Sequence, residues 1–174
     1  MTGAGVKQLM GYVSNISAKA VREGVVYTLT VSTVSGEEYL VKVRQPPEWL
    51  SVGSAITGAA IKTEESYQLQ EMTEAKELQP SRVVEVDSLE LSYIEMGDEK
   101  QAIITGSSAS KYVSAPVLSQ SVVKKGEKLL KERCVIHVAD LPTGKKIVAV
   151  QTVKEHRRDS VLKRLLETVG EDVR

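Results

Sequence analysis

The stretch Val25-Val-Tyr-Thr-Leu-Thr-Val-Ser-Thr-Val34, followed by Ser35-Gly36 and Glu38-Tyr-Leu-Val-Lys-Val-Arg44, decides the fold. Successive strand side chains point to opposite faces, so Leu29 and Val31 share one side while Thr28, Thr30 and Ser32 share the other. In the second run Tyr39, Val41 and Val43 take the inward phase and Lys42 and Arg44 the outward one. Ser35-Gly36 supplies the tight turn that joins them. The pair is therefore expected to form a hairpin with an apolar side and a side of hydroxyls and cations.

Working outward, Gly11 to Lys19, Ala55 to Thr63 and Tyr67 to Met72 read as three more short strands, giving five in all at the spacing of a small barrel. Between the third and fourth lies Gln45-Pro46-Pro47-Glu48-Trp49-Leu50. Its prolines forbid continued pairing and allow only a short helical turn, which would plug the barrel. Thr73 to Pro80 is polar, stops at a proline and shows no buried face, so a linker is expected at 75–81, between a barrel at 1–74 and a second module at 82–174.

The second module changes character along its length. Arg82 to Glu95 reads as one or two strands and Gln101 to Gly106 as another. Ser114-Ala-Pro116 has the chemistry of a helix start, with helical pattern from Val117 to Arg133 and a potential break at Gly126. Cys134 to Ala139 and Ile147 to Val153 alternate as strands around Leu141-Pro-Thr-Gly144, a hairpin. Val161, Leu162, Leu165, Leu166 and Val169 recur at helical spacing up to Gly170, which predicts an amphipathic terminal helix able to pack on its own domain or to pair with another copy as a homodimer. The fold expected is mainly β with α+β: a five-stranded barrel, then an α+β module.

Composition narrows the function classes. The 174 residues carry 23 Lys+Arg and 23 Asp+Glu, so overall charge selects no partner. Residues 1–79 hold seven cations against nine carboxylates, whereas the part from Lys124 onward holds thirteen against eight. Lys124, Lys125, Lys128, Lys131 and Arg133 lie on or beside the middle helix, and Lys145-Lys146 mark a hairpin tip; such groups form a solvated face or extend a polyanion track. The single cysteine, Cys134, excludes an intrachain disulfide and fits a reducing, cytoplasmic setting. No apolar run is long enough for a membrane span, and Met1 to Leu9 lacks the basic-then-apolar order of a signal peptide.

Catalytic patterns are thin. His137 sits mid-strand between apolar neighbours and reads as a structural histidine, and His156 beside Arg157 as an exposed one. Thr105-Gly-Ser-Ser108 and Leu141-Pro-Thr-Gly-Lys-Lys146 lack phosphate-loop spacing, and no carboxylate or cysteine pattern calls for a metal. A non-enzymatic protein without cofactor or metal is expected.

Gly11-Tyr-Val-Ser-Asn-Ile16, Tyr27-Thr-Leu-Thr-Val31, Tyr39-Leu-Val-Lys-Val43, Val52-Gly-Ser-Ala-Ile-Thr-Gly58 and Tyr67-Gln-Leu69 resemble the strand succession of OB-fold single-stranded nucleic-acid-binding domains similar to replication protein A. The resemblance covers about the first 72 residues and implies a single-strand ligand, DNA rather than RNA, on the outer face of the second and third strands. Candidate contacts are Thr28, Thr30, Lys42 and Arg44 on that face, Lys19 and Arg22 in and before the loop after the first strand, Lys62 at the end of the fourth, and Tyr12 and Trp49 as rings for base stacking. Two readings stay open at this point: Glu64-Glu65 would repel phosphate, and a neutral barrel face also suits a protein-interaction module.

Overall fold

A computed structural model describes residues 6–64 and 66–159. Five strands form the first half: β1 (Val6–Val21), β2 (Gly24–Ser32), β3 (Glu38–Val43), β4 (Ala55–Lys62) and β5 (Tyr67–Glu74). Each pairs with two neighbours, in the order β1-β2-β3-β5-β4, and β4 returns to β1, so the pairing circuit closes. β3 and β5 are parallel and the other pairs antiparallel. The long β1 serves two partners, β4 through its first half and β2 through its second, with a register shift between Val13 and Asn15 where it passes from one to the other. Gly11 sits at that crossing because a Cβ there would lie 2.3 Å from the Ser32 carbonyl oxygen.

Inside the circuit Leu9, Val13, Leu29, Val31, Val41, Ile56, Ala60 and Leu69 form an aliphatic core, as the alternation requires. Trp49 and Leu50, half-buried in the expected turn after the prolines, pack against it. The Leu50 N–H donates to the Pro47 carbonyl at 3.1 Å, which closes that turn. At the first hairpin of the alternating pair, Gly36 adopts φ +91°, and its N–H donates to the Thr33 carbonyl at 2.9 Å.

The second half packs two three-stranded sheets with one helix. β6 (Arg82–Val86), β10 (Cys134–Leu141) and β11 (Gly144–Thr152) make one sheet; β7 (Ser88–Met96), β8 (Glu99–Ser107) and β9 (Tyr112–Pro116) make the other. Helix α1 (Gln120–Lys128) closes their shared core of Val86, Leu89, Ile104, Ile136, Val138 and Ile147. The Cys134 thiol lies in this core, and burial pushes its pKa up to about 11, which makes it an inert apolar group.

The helix start departs from the sequence expectation. Ser114-Ala-Pro116 belongs to β9, where Val113 and Ala115 turn inward at period two and Pro116 ends the strand opposite Ile103. An edge position tolerates proline, so its lack of an N–H does not mark a helix there. The helix begins at Gln120 after Ser119 and ends at Lys128, several residues short of Arg133. Gly126 does not divide it: the glycine is where the helix rests on Ile104, with only 3.1 Å available to a Cβ.

The two halves are bound by a third apolar cluster of Tyr12, Leu118, Ala139, Leu141 and Val148. Residues 75–81, expected as a tether without a buried face, take part in it. Ala75 is buried and donates its N–H to the Ala55 carbonyl at 3.0 Å, and Leu78 packs on the cluster. The Tyr12 hydroxyl donates to the Gln79 carbonyl at 2.6 Å, and the Ser81 hydroxyl donates to the Gly53 carbonyl at 2.7 Å. Among the described residues no helix is long and apolar enough to cross a membrane. The terminal amphipathic helix expected from Val161 to Val169, with the homodimer it would allow, lies outside the described residues, as does Glu65.

Candidate functional site

Cross-strand register assembles the outer face row by row. Ser17 pairs with Thr28, Thr28 with Lys42, and Lys42 with Gln68, so these four side chains stand on one side of the sheet. Lys19, opposite Val26, follows two residues along β1, and Arg44 follows two residues along the β3 chain from Lys42. Arg22 occupies the turn between Val21 and Gly24 at the tip of the same hairpin. Lys19, Arg22, Lys42 and Arg44 are all exposed. The structure thus gathers four of the sequence-derived cations, with Thr28, at one end of this face.

The other end is covered. Tyr12 does lie on the outer side, opposite Ser32, but it is 0% exposed under Leu118 and Val148, so it offers no ring for stacking. Thr30 is 9% exposed, and Ser32 is fully buried with its hydroxyl donating to that of Ser119 at 2.7 Å. The second half lies on top of the barrel wall here, and hydroxyls suited to water are equally suited to such a contact. Lys62 is exposed but shares its phase with Tyr67 and Val41, which places it at the end of the circuit and not on the outer face. Trp49 packs on the barrel core and faces a different cleft.

Where the cover meets the open face there is a groove of about 300 Å³. Ser14, Asn15 and Thr30 form its barrel wall; Ser121, Lys124 and Lys128 from α1 form the opposite wall. Asn15 and Thr30 are paired, one row along from Ser17 and Thr28, so groove and cationic face are continuous along β1 and β2. Lys125 is held by Glu155 at 2.9 Å. Among the described residues Lys124 and Lys128 form no ion pair, and four-residue spacing puts both on one side of α1. Ser121 Oγ is buried without a hydrogen-bond partner among the described residues. A buried hydroxyl of this kind at a lysine-lined groove offers an unused donor to a ligand oxygen. Two carboxylates approach: Glu155 lines the groove, paired with Lys125, and Glu38 accepts the Ser121 backbone N–H at 2.5 Å and so caps α1.

No protein-family model matches the chain, and no curated protein matches it. The functional reading therefore rests on geometry.

A second concavity of about 690 Å³ lies between the halves, and sequence reasoning missed it. His137, 3% exposed in β10, faces it with Gln151, His156 and Asp159. His137 Nε2 lies 2.8 Å from Gln151 Oε1, and Gln151 Nε2 donates to Asp159 Oδ2 at 2.7 Å. The His156 ring meets that of His137 edge-on, with centroids 5.9 Å apart, and is half-buried, not exposed as its sequence neighbours suggest. The available signal was Thr152-Val-Lys-Glu155, a capping box: Glu155 donates its N–H to the Thr152 hydroxyl at 2.9 Å and its carboxylate accepts the Thr152 N–H at 3.1 Å. It starts the helical residues 153–159 and so brings His156 and Asp159 back over β10. Among the described residues no group of three His, Cys, Asp or Glu could hold a metal ion.

Burial lowers the His137 pKa, outweighing the Gln151 hydrogen bond, and the neighbouring His156 adds to the depression. The folded state therefore binds this proton less readily than the unfolded chain. Stability from this group is complete above the ordinary value of 6.5 and is lost as pH falls below it. Glu155 adds a second, more acidic window. Its burial alone would raise the carboxyl, but Lys125 and the Thr152 contacts hold it below the usual 4.5, so its contribution fades as pH falls below 4.5. Thermal melts between about pH 8 and pH 5 should show a falling midpoint below 6.5, flattened by His137→Phe. A midpoint that rises on acidification would contradict the assignment.

Proposed function

We propose that the protein binds single-stranded nucleic acid, DNA in preference to RNA, without catalysing a reaction. The strand runs over the exposed end of the β1-β2-β3 face and into the groove beneath α1. The observation that carries this reading is the register that places Lys19, Lys42 and Arg44 beside Thr28 and leads on to Asn15, Thr30, Lys124 and Lys128. Cations spaced along a groove suit a phosphate backbone, while hydroxyl and amide groups set its position. Five strands in a closed circuit, with a plug between the third and fourth, follow the plan of an OB-fold, whose second and third strands commonly carry oligonucleotides. The preference for DNA and a cytoplasmic location rest on the resemblance and on cysteine usage.

Fluorescence anisotropy of labelled strands of about 16 nucleotides tests the proposal. At about 50 mM salt, single strands should bind at micromolar protein and duplexes of the same sequence more weakly. Unchanged anisotropy with every single strand would overturn it.

A protein-interaction module is the second reading, favoured by one observation. Ser92 to Lys100 at the β7–β8 turn are all exposed, with Tyr93, Ile94 and Met96 more than half exposed, and β7 is a free sheet edge among the described strands. Copurification of a stoichiometric protein partner, lost on Ile94→Asp and indifferent to Lys42→Glu, would favour it.

A further inference from the structure

The cleft between the halves has apolar walls, with the His137 imidazole among its uncharged polar groups. Trp49, Val52, Leu78 and Val83 supply the apolar lining. The hydrogen-bond chain fixes the acceptor. Gln151 spends its amide N–H on Asp159, so its oxygen faces His137 Nε2, which must then carry a hydrogen, and burial favours the neutral ring. The lone pair is left on Nδ1, the atom that lies against Gly53. Gly53 has φ +95°, and a Cβ there would stand 2.6 Å from Nδ1, so only a glycine lets the chain pass this close to the imidazole, which lines the cleft. Ser81, which would meet the same Cβ at 2.8 Å, adds a hydroxyl beside it.

Charge in the cleft disfavours an anion, because Glu74 and Asp159 face it with Lys76 as the only lysine or arginine among the described residues of its lining. A flat, largely apolar molecule carrying a ring N–H fits both walls and acceptor. Val52 and Gln151 line this cleft and also the groove beneath α1, so one wall separates the two. We propose that the cleft is a nucleobase pocket, selective for bases with a ring N–H donor such as uracil, thymine or guanine, in which His137 Nδ1 accepts that hydrogen. This rests on the reading of the adjacent groove as a phosphate track, and it extends that reading from backbone to base.

The test needs no variant at first. Trp49 is the only tryptophan and lines the cleft, so its emission reports occupancy. Titrate the full chain with uridine, 3-methyluridine and cytidine. Uridine should give saturable quenching. The other two, which lack the N–H, should bind roughly tenfold or more weakly, because they leave a buried acceptor unpaired. His137→Phe should abolish the discrimination. Equal quenching by uridine and 3-methyluridine, or no quenching by any nucleoside, would overturn the pocket. Oligonucleotide binding keeps the two claims apart. Strands that bind with no preference for uracil over cytosine would sink the base pocket alone. Uridine discrimination without any oligonucleotide binding would sink the strand reading and leave a nucleoside site.

Discussion

Replacing Lys42 and Arg44 together by glutamate is expected to weaken single-strand binding about 100-fold at about 50 mM salt. The two side chains stand on one face of the β3 chain, exposed, with Thr28 beside them on β2 and Lys19 one strand further, on β1. Each cation that neutralises a phosphate on a single strand releases about 0.7 of a counterion, a gain of roughly eightfold per contact at that salt. Losing two contacts accounts for most of the effect, and placing carboxylates against phosphates adds repulsion. Both positions are exposed, so the fold should be undisturbed, with a shift in stability within about 0.5 kcal/mol. The same reversal at Lys100, on the exposed β7–β8 turn, should leave affinity within about twofold. Anisotropy titrations of the three proteins side by side make the comparison. Equal losses at Lys100 and at the β3 pair would mean that net charge, not a track, governs binding.

The largest expected effect on stability is at Tyr12. It is the biggest fully buried side chain among the described residues, it joins both halves through the cluster with Leu118, Ala139 and Val148, and its hydroxyl serves the Gln79 carbonyl. Tyr12→Ala should cost about 3–5 kcal/mol from the cavity and lost burial. Tyr12→Phe, which keeps the ring and removes only the hydrogen bond, should cost about 1 kcal/mol. Denaturant midpoints for the two variants decide it. A small loss in Tyr12→Ala would mean that the halves hold together without this cluster. Because the groove has one wall from each half, Tyr12→Ala should also weaken oligonucleotide binding under conditions where the protein remains folded.

Much of the chain is legible residue by residue. Alternation at Leu29, Val31, Val41 and Val43 locates the strands and their inward phase, and Gly36 and the two prolines mark where pairing stops. These signals are local, so β2 to β5 and the β10–β11 hairpin are read within a few residues, whereas β1 begins at Val6, five residues before the expected Gly11. Alternation also puts Tyr12 and Thr30 on the outer face correctly. It carries no information about what lies beyond that face, and the second half covers both. Ser114-Ala-Pro116 misleads because serine before proline is equally good chemistry for a helix start and for the end of an edge strand; the contact of Val113 and Ala115 with the core decides between them. The apolar neighbours of His137 suggest a structural histidine, and its Nε2 is satisfied, but the cleft at its other nitrogen is made by Gly53, Ser81 and Asp159, more than twenty residues away in sequence in every case. Contacts of that range leave no periodic trace.

The salt dependence of single-strand affinity tests the proposed track most directly. If Lys19, Arg22, Lys42, Arg44, Lys124 and Lys128 all meet phosphates, the slope of log affinity against log salt should be about −4, and the double reversal at Lys42 and Arg44 should bring it to about −3. A slope near zero, or one that the reversal does not change, would contradict the path along β1-β2-β3 and under α1.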